Sequence, residues 1–207
     1  MLYFRNSIIV LFIGTASVFS QDFDSDFVKT SEHSFTVSLF SDGYEIPWGM
    51  AFLPNSELLV SDRSGKLYRV SPNGKLRVEI SGVPKVLYKS QGGLLDIAVH
   101  PEFSKNKLVY ISYSHAINRK SFTRIAMAKL VENKLVDLKV IYSADKKHYT
   151  PRPIHFGSRI VFKDGHIYFS VGDSFERDEA QDINTPNGKI HRLTYNGETP
   201  KDNPFYN

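Results

Sequence analysis

The chain contains no cysteine. Disulfides, zinc–thiolate centres and cysteine nucleophiles are therefore excluded. It carries no block of lysine or arginine long enough for a nucleic-acid patch, and its net charge is only +4 with histidine neutral. It lacks a phosphate loop, a dinucleotide fingerprint and a nucleophile elbow. The histidines at 33, 100, 115, 148, 166 and 191 show no metal-ligand spacing. Beyond residue 30 no long segment repeats its apolar residues at a helical period. An exported chain of this kind has to be held by its core or by metals bound through oxygen.

What is present is strand text. Fifteen Phe and eleven Tyr favour strands. Short apolar runs alternate with Gly, Pro, Asn, Asp and Ser. Residues 1–20 form a separate piece: Arg5 precedes an apolar run from Ser7 to Phe19, and Val18 and Ser20 suit a cleavage site before Gln21. The run is shorter than the roughly 20 apolar residues of a spanning helix. The expectation is a signal peptide over 1–20, an N-terminal extension over 21–34 and a partial β domain over 35–207. A periplasmic or secreted location follows, with no stable membrane insertion after cleavage.

The runs repeat. Met50–Phe52, Glu57–Ser61, Lys66–Val70 and Leu76–Ile80 form one unit. Ile97–Val99, Leu108–Ser112, Arg124–Ala128 and Lys139–Tyr142 form a second. Arg159–Phe162, His166–Ser170 and Lys189–Leu193 begin a third. Ala51-Phe52-Leu53-Pro54 returns one unit later as Ala98-Val99-His100-Pro101. Four short strands per unit is the pattern of β-propeller blades, which stack because a lone blade cannot bury both faces. An irregular sandwich is the competing reading.

Three loops depart from strand text. Ser90-Gln91-Gly92-Gly93 bends the chain into an inner strand and places Gln91 at its top. Pro151–Arg159 delivers His155 before another inner strand, where a side chain that titrates near neutral pH suits general-base work. Gly172–Asp182 gathers carboxylates around Arg177, and oxygen ligands of this sort suit calcium, although the spacing matches no calcium-loop motif. Each also has a plainer reading as a solvated amide, a carbonyl-bonded histidine or an acidic surface loop.

Taken together the motifs resemble the soluble PQQ-dependent aldose sugar dehydrogenases of the glucose/sorbosone dehydrogenase family. The resemblance rests on Ile46-Pro47-Trp48-Gly49-Met50-Ala51-Phe52-Leu53-Pro54, on Gln91–Phe103, on His155–Phe162, and on Ala180-Gln181-Asp182 with Gly188–Leu193 and Pro200–Phe205. It implies an all-β, six-bladed propeller of which this sequence holds roughly three blades, with pyrroloquinoline quinone (PQQ) and Ca²⁺ on the axis. It implies His155 as the general base that takes the proton from an aldose's anomeric hydroxyl, with hydride passing to the quinone. It implies Gln91 and Arg177 as cofactor contacts. It assigns no calcium ligand in this sequence, because the family's clamping residues and calcium ligands lie mostly in later blades. An aldose substrate and an external electron acceptor follow as partners. The alternatives are a non-catalytic carbohydrate- or protein-binding propeller and a lactonase-type propeller hydrolase. The pairing of the Gln91 and His155 segments favours the dehydrogenase. Three blades alone expose two blade faces, so turnover is expected only from the complete ring.

Overall fold

The computed structural model describes residues 26–206, so the expected signal peptide lies outside the described residues. Asp26–Lys29 (β1) and Ser34–Val37 (β2) form an antiparallel hairpin, Asp26 opposite Val37. This hairpin belongs to a compact unit separate from the rest of the chain, which begins at Phe40.

The larger unit is three antiparallel sheets in chain order. The first is Pro47–Phe52 (β3), Leu58–Asp62 (β4), Lys66–Val70 (β5) and Arg77–Ile80 (β6). The second is Leu94–Val99 (β7), Leu108–Ile117 (β8), Lys120–Val131 (β9) and Lys134–Ser143 (β10). The third is Gly157–Lys163 (β11), His166–Val171 (β12) and Lys189–Thr194 (β13). Each sheet is an antiparallel meander, with tight turns at connections such as β8–β9 and β11–β12 and longer excursions from Val99 to Leu108 and from Val171 to Lys189. Asp164 and Gly165 both lie at positive φ, 49° and 76°, as a two-residue hairpin between β11 and β12 requires. The expected strand runs all appear, and the fold is three blades of a β-propeller. The second blade extends well past its expected bounds. Ser112, Ser114, Ser121 and Thr123 are buried polar residues that interrupt the apolar pattern without ending the strands. They stay in because they are bonded: Ser112 Oγ accepts the Asp96 N–H at 2.7 Å, and Thr123 Oγ1 donates to Phe156 O at 2.6 Å.

Two cores lie between the blades. Leu59, Leu67 and Ile80 of the first blade pack with Leu94, Ile97, Val109 and Ile111 of the second. Tyr110, Phe122 and Ile125 on the opposite face of the second pack with Ile160, Ile167 and Phe169 of the third. The alternation of strand residues thus buries both faces of the middle blade. Met50 and Phe52 on the first blade, and Val161 and Ile190 on the third, face outward and stay exposed.

One carboxylate crosses all three sheets. Asp96, on β7, is 5% exposed. Its Oδ1 accepts from Arg159 Nη1 at 2.9 Å and its Oδ2 from the Ile160 N–H at 2.9 Å, both on β11. On the other side it abuts Gly49 of β3, where a Cβ would lie 2.7 Å from Asp96 Oδ1. Arg159 then sits over Trp48 of β3, its guanidinium carbon 4.2 Å from the ring centre. Burial pushes the Asp96 carboxyl above its ordinary range, against the pull of the Ile160 N–H and Arg159. Asp62, at the end of β4, is buried too, yet the net effect is opposite. Burial raises its pKa, but the Ser64 N–H and hydroxyl and the Glu45 and Ile46 N–H groups outweigh it and hold it below the ordinary 3.8.

Replacing Asp96 by Ala strands the Ile160 N–H in the core and releases Arg159. The expected loss in urea unfolding of the complete protein is about 2–3 kcal/mol, with Asp96→Asn losing less. Asp62 has a depressed folded pKa. Its contribution is therefore full above the unfolded value and is lost as pH falls through the folded one. An Asp62→Asn variant should show a flatter loss of stability below about pH 4 in acid-titrated thermal melts.

Candidate functional site

The loop before β11 is held in a conformation its residues do not choose. His155 has φ 53°, and Gly157 and Ser158 follow at 69° and 98°. Outside glycine such values persist only where the surroundings impose them. Thr123 Oγ1 and the Gly172 N–H both donate to Phe156 O, at 2.6 and 3.1 Å. Gly172 lies so close that a Cβ there would sit 1.8 Å from His155 O. That contact explains the glycine at the end of β12.

The two loops that sequence reasoning paired do touch. Gln91 Oε1 accepts from the His155 backbone N–H at 2.8 Å, and the Gln91 N–H donates to Pro153 O at 3.2 Å. Gly93, just below, has φ 154°, and a Cβ there would lie 2.0 Å from Arg63 O. Gln91 itself is exposed.

The imidazole of His155 has a partner that sequence reasoning did not assign. His155 Nδ1 lies 2.7 Å from Asp173 Oδ1. The Phe175 N–H also donates to Asp173 Oδ1, at 2.9 Å. The Phe175 amide, and then His155, hold the Asp173 carboxyl below its ordinary range. An ionised carboxylate only accepts, so Nδ1 carries the proton in this pair. Nε2 then keeps its lone pair in the neutral ring. The His155 side chain is 39% exposed and that of Asp173 25%, so the ring is reachable from solvent. The only trace of Asp173 in the sequence is its place after the obligatory Gly172, at the head of the acidic loop.

Arg177 stands one ring away from His155. Ser174 and Phe175 are both left-handed, at φ 50° and 69°, which turns the Phe175 side chain back over the site. The Phe175 and His155 rings are 5.6 Å apart. Arg177 and Arg152 lie 5.1 and 5.2 Å from the centre of the Phe175 ring. Arg152 is also 3.5 Å from Glu176, whereas Arg177 forms no ion pair among the described residues. Gln91, His155 and Asp173 are thus joined by hydrogen bonds, whereas Arg177 makes no hydrogen bond to them, lies against Phe175 and adds its charge to the field that lowers the Asp173 pKa. Elsewhere in the acidic loop Asp182 Oδ1 accepts the N–H of Asn184 and the Glu179 backbone carbonyl accepts from Thr185 Oγ1, whereas Glu179 Oε2 is buried with no hydrogen-bond partner among the described residues. Two other histidines are packing groups. His100 lies among Tyr110, Phe162 and Tyr195, and His191 stacks on Phe169.

The arrangement is a carboxylate-oriented imidazole with a free nitrogen, flanked by an amide and two guanidinium groups. It can remove a proton next to an anionic or carbonyl-rich group. The sequence model of the family described as Glucose / Sorbosone dehydrogenase matches residues 44–207. The chain is 35% identical over 174 residues to the Escherichia coli protein named aldose sugar dehydrogenase YliI, covering 82% of this chain and 46% of that one. It is 26% identical over 216 residues to quinoprotein glucose dehydrogenase B of Acinetobacter calcoaceticus, covering 88% and 44%. Among solved structures, the PQQ-bound aldose sugar dehydrogenase of Streptomyces coelicolor superposes with a TM-score of 0.70 at 29% identity, over 88% of this chain and 52% of that one. The chain spans about half the length of the relatives it matches.

Gly172 is the steric test of this site. Gly172→Ala should push the His155 loop away, lowering the melting temperature and shifting the His155 ring signals in an NMR spectrum; unchanged His155 signals would contradict the close approach.

Proposed function

The chain belongs to the glucose/sorbosone dehydrogenase family, and from that membership we propose that the complete protein is a PQQ-dependent sugar dehydrogenase. It oxidises the anomeric hydroxyl of an aldose to the lactone and hands the electrons to an external acceptor. The observation that carries this reading is the 2.7 Å contact between His155 Nδ1 and Asp173. It leaves Nε2 as the basic atom at a reachable surface.

The donor set suits the quinone. PQQ is a tricarboxylate with adjacent carbonyls, and it needs hydrogen-bond donors and positive charge. Gln91 offers an amide NH₂ and Arg177 a guanidinium with no ion pair among the described residues, with Arg152 beside it. When bound, the quinone supplies the acceptor for the hydride leaving the anomeric carbon. His155 Nε2 takes the hydroxyl proton, and the charge left on oxygen favours loss of that hydride. Asp173 steadies the imidazolium that results and keeps the ring from turning. Calcium accompanies PQQ in this reading. Among the described residues no group of three or more Asp, Glu, His or Cys side chains converges, so no calcium ligand is assigned here and no step runs through the metal.

The same reading places the protein outside the cytoplasm, with residues 1–20 as its signal peptide and the six-bladed ring completed by residues other than the three blades described. Among the described residues no helix is long and apolar enough to cross a membrane. Nucleic acid has no part in it.

The test is reconstitution of the complete protein with PQQ and Ca²⁺, followed by reduction of an artificial dye with aldoses. His155→Ala should lower turnover by about a thousandfold, the scale of a lost general base, and Asp173→Asn by a smaller factor. A complete protein that reduces no dye with any aldose, or a His155→Ala variant as fast as the parent, would sink the proposal.

A further inference from the structure

His155 is fixed at three points. Asp173 holds the ring, Gly172 presses against the carbonyl oxygen, and Gln91 takes the backbone N–H. The first two are contacts from the blade that His155 itself introduces. The third comes from the second blade, because Gln91 sits just ahead of β7. The His155 N–H lies before the first residue of β11 and has no ladder partner. Its φ of 53° is one that a β-carbon disfavours. Without an acceptor this amide would turn to water and the loop would relax towards negative φ.

We propose that Gln91 is a positioning residue for His155. Its carboxamide oxygen pins the His155 amide in the left-handed conformation and so aims Nε2 at the substrate. The orientation of the carboxamide follows from chemistry. A backbone N–H can only donate, so the oxygen of Gln91 must face it and the NH₂ must face away. The second tie, from the Gln91 N–H to Pro153 O, holds the proline-stiffened stem of the same loop at 3.2 Å. Gln91 therefore acts on His155 from the neighbouring blade before any quinone is present. This role differs from the direct cofactor contact that the family resemblance implies. It rests on the reading of His155 as the base only for its consequence in catalysis.

The test uses the complete protein without PQQ. Gln91→Leu removes the acceptor, whereas Gln91→Glu keeps an oxygen facing the His155 N–H. Amide hydrogen exchange at His155 should be about tenfold faster or more in the leucine variant and close to the parent in the glutamate variant. The NMR signal of the proton between His155 Nδ1 and Asp173 should weaken in the leucine variant alone. Unchanged exchange at Leu95 and Phe169 reports that both variants are folded. Equal His155 exchange in all three proteins, or a glutamate variant as fast as the leucine one, would overturn the proposal. If His155 loosens as expected but His155→Ala retains full turnover with PQQ, the positioning stands and the general-base reading falls.

Discussion

The carboxylate of Asp96 is the constraint on which the rest of the structure depends. A propeller blade needs apolar contacts on both faces, but apolar contacts alone leave neighbouring blades free to slide. Asp96 removes that freedom near the axis. It reaches from β7 to a backbone N–H and a guanidinium of β11, and it leaves room only for glycine on β3. Its pKa is pushed up by burial, which measures how unfavourable the location is for a charge. The position makes sense as a fixed register between three sheets. Once β11 is pinned there, the loop that feeds it has a defined end point, and His155 lies four residues before Arg159.

The site is then assembled from loops on two sheets. The second blade supplies Gln91 and the hydroxyl of Thr123, and the third supplies His155, Gly172 and Asp173. Apart from Thr123, which is fixed within β9, these groups lie outside the strands. Gln91 and His155 are tied to each other across the blades, Gly172 and Asp173 meet the His155 loop, and Phe175 steadies Asp173 from within its own loop. The left-handed residues at 155, 174 and 175 are the visible cost of folding two loops over each other. In return an imidazole meets a carboxylate on one nitrogen and open space on the other.

Much of the fold was legible in the sequence. Lys66–Val70 and His166–Ser170 read as strands because alternation and turn residues agree. Asp164-Gly165 read as a turn because both residues tolerate positive φ. The length of the second blade was not legible. Ser112-Tyr113-Ser114-His115 reads as a polar end to a strand, and only the pairing with β9 and the hydroxyl partners in β7 and the loop before it show that it continues. The site was half legible. Gln91 and His155 stand beside glycine and proline, which mark built loops. Asp173 hides among several acids, because choosing one requires knowing which of them meets a ring across the blade. Asp96 gave no signal at all, since an aspartate inside an apolar run acquires its meaning from a partner more than sixty positions away.

Asp96 and Asp173 show how one side chain takes two roles. Both accept a backbone N–H and both meet a basic side chain. The difference is what surrounds them. Asp96 lies among apolar strands, so burial dominates and ionisation is opposed. A carboxyl in that state suits holding strands in register, because its hydrogen bonds have little competition from water. Asp173 lies at a loop surface, where the Phe175 amide and His155 outweigh slight burial and ionisation is favoured. A carboxylate in that state suits orienting an imidazole, because its negative charge is there before a proton arrives on Nε2. Exchanging the two environments would spoil both functions. A protonated acid beside His155 could donate to Nδ1 and reverse the tautomer, and a carboxyl between the blades without Arg159 and the Ile160 N–H would leave buried oxygens unpaired.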